Sequence, residues 1–527
     1  MKTFHSKVVS LFLAFSAIGI ALGVQSCDKE VETKEVLGVL APASLDQTAG
    51  TWTPIILTTN YVTQVPVAAP TAVTSAAYIA EIAAVKDVQS KLTKSQRNSI
   101  NYWSAGGVLR WNQILRGLVA NYNLPPAPNA DGSYPLPDSE NPFADPAFPF
   151  SNPPYAARAY SYVSVAQYDA LKAAWFYKFL YKRPSPYKVD TSVESLMPAS
   201  DLPAYPSEDA VMSGVTAEIL KLLFPAAVEE ITLRAAEQRN AALWSGKATA
   251  SDISVGLALG KAVAAIITAP GTGRFRTDGM ANAVGNATQW QALEDGATAR
   301  GEIPWKSLDL PTRPPMLPNF GKVKAWNMTP AQIISERPLP PAPTKSSEMT
   351  DEVAEVKYYS DHITRKRLAI VHKWADGAGT YTPPGHWNDI AEEYIEALDY
   401  SEVRAARAFA LLNMAIHDAG VGCWETKYFY FNPRPSQLDA TIRTGTGIPN
   451  FPAYTSGHST FSASAATILS YLFPAGSQYF NEEASEASLS RLYGAIHYRS
   501  DCDKGLAHGT KIGGYTVSFA SKDGAGN

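Results

Sequence analysis

A chain of 527 residues that is 46% hydrophobic and 18% charged has apolar material for a large buried core, and its composition is globular rather than disordered. Its 45 basic and 49 acidic residues give a net charge of −4, so nothing in the overall balance calls for nucleic acid. Any anion site must be a local arrangement.

In chain order, residues 1–7 carry Lys2 and Lys7, and residues 8–24 are an apolar run too short for a comfortable membrane span. This is the pattern of a signal peptide. Val24-Gln25-Ser26-Cys27 then sets a cysteine behind a small residue. The segment resembles a bacterial lipobox, with Val24 and Gln25 in place of the usual residues of its first two positions; secretion with an incidental cysteine is the alternative. The expectation is an exported lipoprotein with residues 1–27 as its signal, acylated at Cys27 and held by that lipid anchor alone at the outer membrane, on the periplasmic face or the cell surface. Residues 28–95, rich in Thr, Val, Pro and Ala at their centre, read as a tether and extended lead-in. No later stretch of about 18 residues is uninterruptedly apolar, so the body is expected to be soluble. Cys423 and Cys502 remain, and in an oxidising compartment they are able to pair; the sequence leaves that open.

The body is a duplication. Ala156-Ala157-Arg158 leads to Asp169, Trp175 and Lys178; Ala405-Ala406-Arg407 leads to Asp418, Trp424 and Lys427, every pair 249 residues apart. Leu202-Pro203-Ala204-Tyr205 matches Phe451-Pro452-Ala453-Tyr454, and Asp252 with Gly256 and Gly260 matches Asp501 with Gly505 and Gly509, at the same spacing. Apolar residues recur at helical spacing in each copy, whereas strand-like alternation is scarce. The fold class expected is all-α, two related helical bundles: residues 96–270 as a degenerate first repeat, 271–350 as a Pro/Gly-rich connection that wraps the bundles and helps shape a pocket, and 351–527 as the bundle carrying chemistry. The first copy has Glu208, Asp209 and Ala248 where the second has Gly457, His458 and His497. It keeps Trp175, Lys178 and an Arg183-Pro184 pair, but its acids would repel an anion, so it is expected to be inactive.

Three segments of the second copy point to one task. Lys427 and Arg434 supply a point charge and a planar fork. Ser456-Gly457-His458 precedes a helix, putting the Gly457 amide where a helix N-terminus favours an anion. Arg491 adds a third cation, and His497 lies four residues before Asp501, so that on a helix the carboxylate would fix the ring's Nδ1 proton and raise the basicity of Nε2. Taken singly, these pieces are most often a solvated face, a turn and a structural pair.

In this order, Lys427 to Asp501 resembles the three-part signature of the superfamily uniting type 2 phosphatidic acid phosphatases, bacterial acid phosphatases and vanadium-dependent haloperoxidases. Thr455 stands where that signature usually has proline. The resemblance implies that Lys427, Arg434, Ser456, the Gly457 amide and Arg491 hold the non-bridging oxygens of vanadate or phosphate. His497 would be the ligand to vanadium or the nucleophile that takes a phosphoryl group, His458 the acid/base, and Asp501 the residue orienting His497. Trp424 and Phe451 resemble the aromatic positions on the halide side of haloperoxidases, although bundle core accounts for them as well, and residues 383–388 resemble a segment common in bacterial haloperoxidase-like proteins. The implied reaction is oxidation of iodide or bromide by hydrogen peroxide with vanadate as cofactor. The alternatives are phosphomonoester hydrolysis through a phosphohistidine, with no cofactor, and an oxyanion-binding lipoprotein without catalysis.

Overall fold

The computed structural model describes residues 37–134 and 151–526. The described residues from 39 onward belong to the larger of two compact units. The signal sequence and Cys27 lie outside the described residues. Among the described residues of the larger unit there is no β-strand, and fifteen helices exceed seven residues. In chain order they are α1 (Ala76–Gln89), α2 (Lys94–Trp103), α3 (Gly107–Asn121), α4 (Pro153–Tyr181), α5 (Glu208–Leu223), α6 (Val228–Trp244), α7 (Ala250–Thr268), α8 (Ala287–Ala299), α9 (Ser347–Asp361), α10 (Arg365–Lys373), α11 (Thr382–Ala397), α12 (Glu402–Tyr430), α13 (Gly457–Leu472), α14 (Ser477–Tyr493) and α15 (Arg499–Ala520).

The duplication is written into the element boundaries. Helices α4 and α12 are both 29 residues long and start 249 residues apart; α5 and α13, α6 and α14, and α7 and α15 keep that offset at their first residues. Each of the two long helices stops at a residue in the left-handed region, Lys182 (φ 51°) and Phe431 (φ 57°). Local chemistry sets the starts: Asn152 accepts from Tyr155 ahead of α4, Ser401 from Arg404 ahead of α12, and Ser207 and Ser456 cap α5 and α13 in the same way. Within each bundle α5 packs on α7 and α13 on α15, while α4 lies against α12 and joins the two bundles.

One sequence expectation needs correcting. Residues 28–95 are not simply an extended lead-in, since α1 falls inside them; Ser75 caps it, and Tyr78, Ile82 and Val85 recur at helical spacing and are buried. The extended part before it is bonded to the first bundle: the Asp169 carboxylate accepts the amides of Ile55, Ile56 and Leu57 at 2.7–2.8 Å. Its counterpart Asp418 accepts those of Trp326 and Asn327 from the Pro/Gly-rich connection, at 2.6 and 2.8 Å. Helix α7 is long and apolar enough by length and composition to cross a membrane, although Asp252 and Lys261 interrupt its apolar run, as expected from the sequence. Here one face of it packs on α5 with Asp252 buried, while the other face is partly exposed.

Glycine makes the tight helix pairs possible. A Cβ on Gly260 would lie 2.3 Å from the Val211 carbonyl oxygen, and one on Gly509 2.2 Å from that of Thr460. At an open helical site alanine stabilises by up to about 1 kcal/mol over glycine; at these two the overpacking, about 1–3 kcal/mol, should reverse the sign. Gly514 on α15, with nothing within 4 Å of its would-be Cβ, is the control. Urea unfolding should therefore show Gly509→Ala and Gly260→Ala destabilised and Gly514→Ala not.

Candidate active site

Helix α12 delivers Lys427 in its last turn, fully buried. Its ammonium donates to the carbonyls of Pro452 (2.9 Å), Ala453 (2.8 Å) and Thr455. Burial lowers its pKa to about 8. Arg434, just past the end of α12, is also fully buried: Nε donates to Phe451 O (3.0 Å), and Nη1 to Ile496 O and to His497 Nε2 (both 2.9 Å). Arg491, near the end of α14, donates from Nη2 to Trp374 O (2.5 Å) and from Nε to Ser490 Oγ (2.8 Å). Burial depresses both arginines to about 10.

His497 is bonded on both ring nitrogens. Nδ1 lies 2.8 Å from Asp501 Oδ2, and Nε2 accepts from Arg434. Because a guanidinium has only protons to offer, Nε2 carries the lone pair and Nδ1 the proton. Burial, reinforced by the charges of Arg434, Lys427 and Arg491, holds the ring well below its usual pKa and therefore neutral. The expectation that His497 and Asp501 share a helix face is corrected: α15 begins at Arg499, so His497 precedes it. Asp501 is instead the third residue of the helix, and in a capping arrangement its Oδ2 also accepts the Tyr498 amide at 3.2 Å. Burial raises Asp501 to about 7.

The cap of α13 meets the same spot. Ser456 is its N-cap, with Oγ accepting from the Ser459 amide (3.3 Å), and Gly457 opens the helix as expected. A cavity of about 420 Å³ reaches Gly457, His458, Arg491 and His497 and is walled by Trp424, Phe451 and Phe461. Trp424 and Phe451 lie with ring centroids 5.0 Å apart, and the Lys427 ammonium and Arg434 guanidinium each lie 5.0 Å from the Phe451 centroid. The structure thus gathers the residues named from the sequence, with Lys427, Arg434, Ser456 and Asp501 buried behind the wall. Cys423 and Cys502 are free, buried thiols, the first 3.6 Å from Thr455 O and the second donating to Ser488 O.

Arg434 Nη2 and His458 Nε2 are buried polar atoms with no protein partner, and a Cβ on Gly457 would meet nothing closer than 3.8 Å. The first bundle shows what such a space accepts. There Glu208 takes the place of Gly457, and its carboxylate lies 2.7 Å from Lys178, the counterpart of Lys427, and 2.7 Å from Lys247, which also holds Asp209 at 2.9 Å. The degenerate copy is thus not a repelling site but a self-neutralised one, and the anion held by its lysine is its own. The donors of the second copy accordingly fit a tetrahedral oxyanion. In register Arg434 corresponds to Ser185, and Arg183 to Asn432. Arg183 is therefore no counterpart of Arg434, and it stacks on Tyr78, 4.2 Å from the ring centroid.

Residues 407–524 match the model of the PAP2 superfamily. The C-terminal bundle is a PAP2-superfamily domain. No curated protein sequence matches the chain significantly. Solved structures similar to it include a bacterial vanadium-dependent iodoperoxidase, with 18% identity, TM-score 0.51, and 78% of this chain and 95% of that one covered. A bacterial vanadium-dependent chloroperoxidase in its holo form follows at 14% identity and TM-score 0.49, with 71% and 93% covered. The first of these likenesses establishes the fold, an all-α arrangement of haloperoxidase type. Sequence reasoning about the PAP2 domain missed Asp376, Phe461 and Met316, which also line its cavity. Two of them stand outside the signature, and Phe461 reads from its spacing as bundle core.

His458 is, like His497, pushed well below its usual pKa, by burial first and then by the charges of Arg491 and its neighbours. A histidine depressed in the folded state contributes stability that is present above its unfolded pKa of about 6.5 and is lost as pH falls below it. Asp501, raised, titrates in the opposite sense, so the informative quantity is a difference. Between pH 7.5 and 5.5, conditions of the proposed urea titrations, His458→Gln should lose less stability than the wild type; equal losses would show that His458 is not held neutral.

Proposed function

We propose that the protein is a vanadate-dependent haloperoxidase that oxidises iodide or bromide with hydrogen peroxide. The observation that carries this reading is His497: a neutral imidazole whose Nε2 lone pair is presented among buried cations, beneath a cavity with an aromatic wall. Vanadate, when bound, supplies a Lewis acid that activates peroxide. The remaining work falls to the chain's own groups. Asp501 keeps the His497 proton on Nδ1 and so leaves Nε2 free of one. Arg434, Arg491 and the Gly457 amide would hold the anion's oxygens, with Ser456 able to donate its hydroxyl proton while its oxygen caps α13. Lys427, whose three donors are taken by carbonyls, contributes its charge as a field. His458 holds or releases a proton at Nε2. Trp424, Phe451 and Phe461 exclude water beside the anion and offer a polarisable surface to a large halide. The fold likeness to a vanadium-dependent iodoperoxidase supports this choice over phosphomonoester hydrolysis, which the same charged cluster would also serve.

Metal-stripped protein should oxidise iodide and bromide with peroxide only after orthovanadate is added, and His497→Ala should lower the rate by at least about 10²-fold, the scale of losing a main electrostatic partner. Hydrolysis of p-nitrophenyl phosphate that vanadate merely inhibits, without halide oxidation, would sink the peroxidase reading in favour of a phosphatase.

From residues 1–27 alone we further propose that the protein is an exported lipoprotein, anchored at the outer membrane through Cys27. Cells fed an alkyne fatty acid should label the wild type and not Cys27→Ser; equal labelling would remove the anchor.

A further inference from the structure

Asp376 lies between α10 and α11 with its backbone in the left-handed region (φ 43°), and its carboxylate faces two imidazoles. His386 Nδ1, from the first turn of α11, is 3.2 and 3.3 Å from the two carboxylate oxygens. His458 Nε2 is 3.7 Å from Oδ2 and has no hydrogen-bond partner in the protein. Trp374 fixes the group from both sides. Its indole stacks on His386 with centroids 4.2 Å apart and planes 20° from parallel, and its carbonyl accepts a hydrogen bond from Arg491. The other groups near His386 are the Tyr381 ring, edge-on at 6.2 Å, and beyond Trp374 the Lys373–Glu486 pair. His458 also senses Arg491 and Lys427, and Arg491 balances the Asp376 charge.

We propose that His386 is a positioning residue that resupplies the acid/base His458 with protons through Asp376. His386, with its proton on Nδ1, takes a second proton at Nε2 from a hydronium ion or buffer acid as its Nδ1 proton passes to the ionised Asp376 carboxylate; the carboxylic acid so formed gives that proton to His458 Nε2, and exchange of the remaining His386 proton with solvent restores the Nδ1–H form. No atom or electron is gained or lost overall. A simple ion pair between His386 and Asp376 would need neither a second imidazole on the same carboxylate nor an unpartnered Nε2 on that imidazole. The proposal rests on His458 acting as the acid/base, which haloperoxidase and phosphatase readings share, and goes beyond both in assigning a role outside the anion-binding cluster.

The test uses the full chain with His386→Ala and His386→Gln. Turnover should fall about 10-fold or more, within the range of general acid/base effects, while vanadate affinity, read by ⁵¹V NMR, and the KM for peroxide stay within about 2-fold. Added imidazole should restore part of the His386→Ala rate. Unchanged turnover would overturn the proposal, as would a loss matched by lost vanadate affinity and not rescued, which marks a structural role. A readout independent of activity is the ¹⁵N shift of the His458 ring, whose pH dependence should differ between the wild type and His386→Gln. An identical titration in both proteins overturns the relay. If the wild type turns over neither halide nor phosphoester, the functional reading fails while the NMR comparison still decides the coupling.

Discussion

Three cations, Lys427, Arg434 and Arg491, are held at 2% exposure or less, and the Asp501 carboxylate reaches their cluster through His497, which Arg434 also contacts. Bringing a charge out of water costs several kcal/mol per ion, and a buried cation without compensation is strongly destabilising. Here most of the compensation is dipolar. Carbonyls of residues 451–455 receive Lys427 and Arg434, Ile496 O receives Arg434, and Trp374 O receives Arg491. Carbonyls stabilise a cation without neutralising it, so the cluster keeps a net positive field. Burial first and that field second keep both imidazoles neutral, burial lowers the pKa of the cations themselves, and Arg434 Nη2 is left with hydrogen-bonding capacity.

Such an arrangement survives only on a scaffold that cannot relax around it. The pairs α5/α7 and α13/α15 approach closely enough that glycine is required, and α4 and α12 brace each other across the duplication. Buried aspartates at equivalent points, Asp169 and Asp418, each clasp an extended segment by its amides. The lead-in thus stands to the first bundle as the Pro/Gly-rich connection stands to the second, and the repeated unit is larger than the bundle alone. With the scaffold fixed, the two copies differ in what stands beside the lysine: Glu208 neutralises it in one, and Gly457 leaves the equivalent space open in the other.

Much of this was legible in the sequence because duplication and charge leave strong local marks. The 249-residue offset, the three signature segments and the helix opening at Gly457 need only residue types and spacing. Other features depend on three-dimensional closure. The spacing of His497 and Asp501 suggested a shared helix face, yet their contact comes from a capping arrangement that begins one residue after His497. An Arg-Pro pair in the first copy looked equivalent to Arg434-Pro435, but it is two positions out of register. Asp376 carried no mark at all, since a loop carboxylate becomes part of a site only when α10 and α11 bring it to His458.

The anion-binding cluster by itself does not choose a reaction, because phosphate and vanadate present the same shape and charge to Arg434, Arg491 and His497. Selectivity must come from what surrounds the anion. Trp424, Phe451 and Phe461 are supplied by the bundle; Met316, whose carbonyl accepts from Trp424 Nε1 at 3.2 Å, comes from the connection, and Asp376 and Pro383 come from the α10–α11 region. The second group lies outside residues 407–524, the span that matches the superfamily model. The shared domain therefore provides a cluster of buried cations beside a neutral histidine. The segments packed around it govern which molecule reaches that place and how protons arrive there. A change of chemistry within this fold can then proceed through residues 313–386 while Lys427, Arg434 and His497 stay as they are.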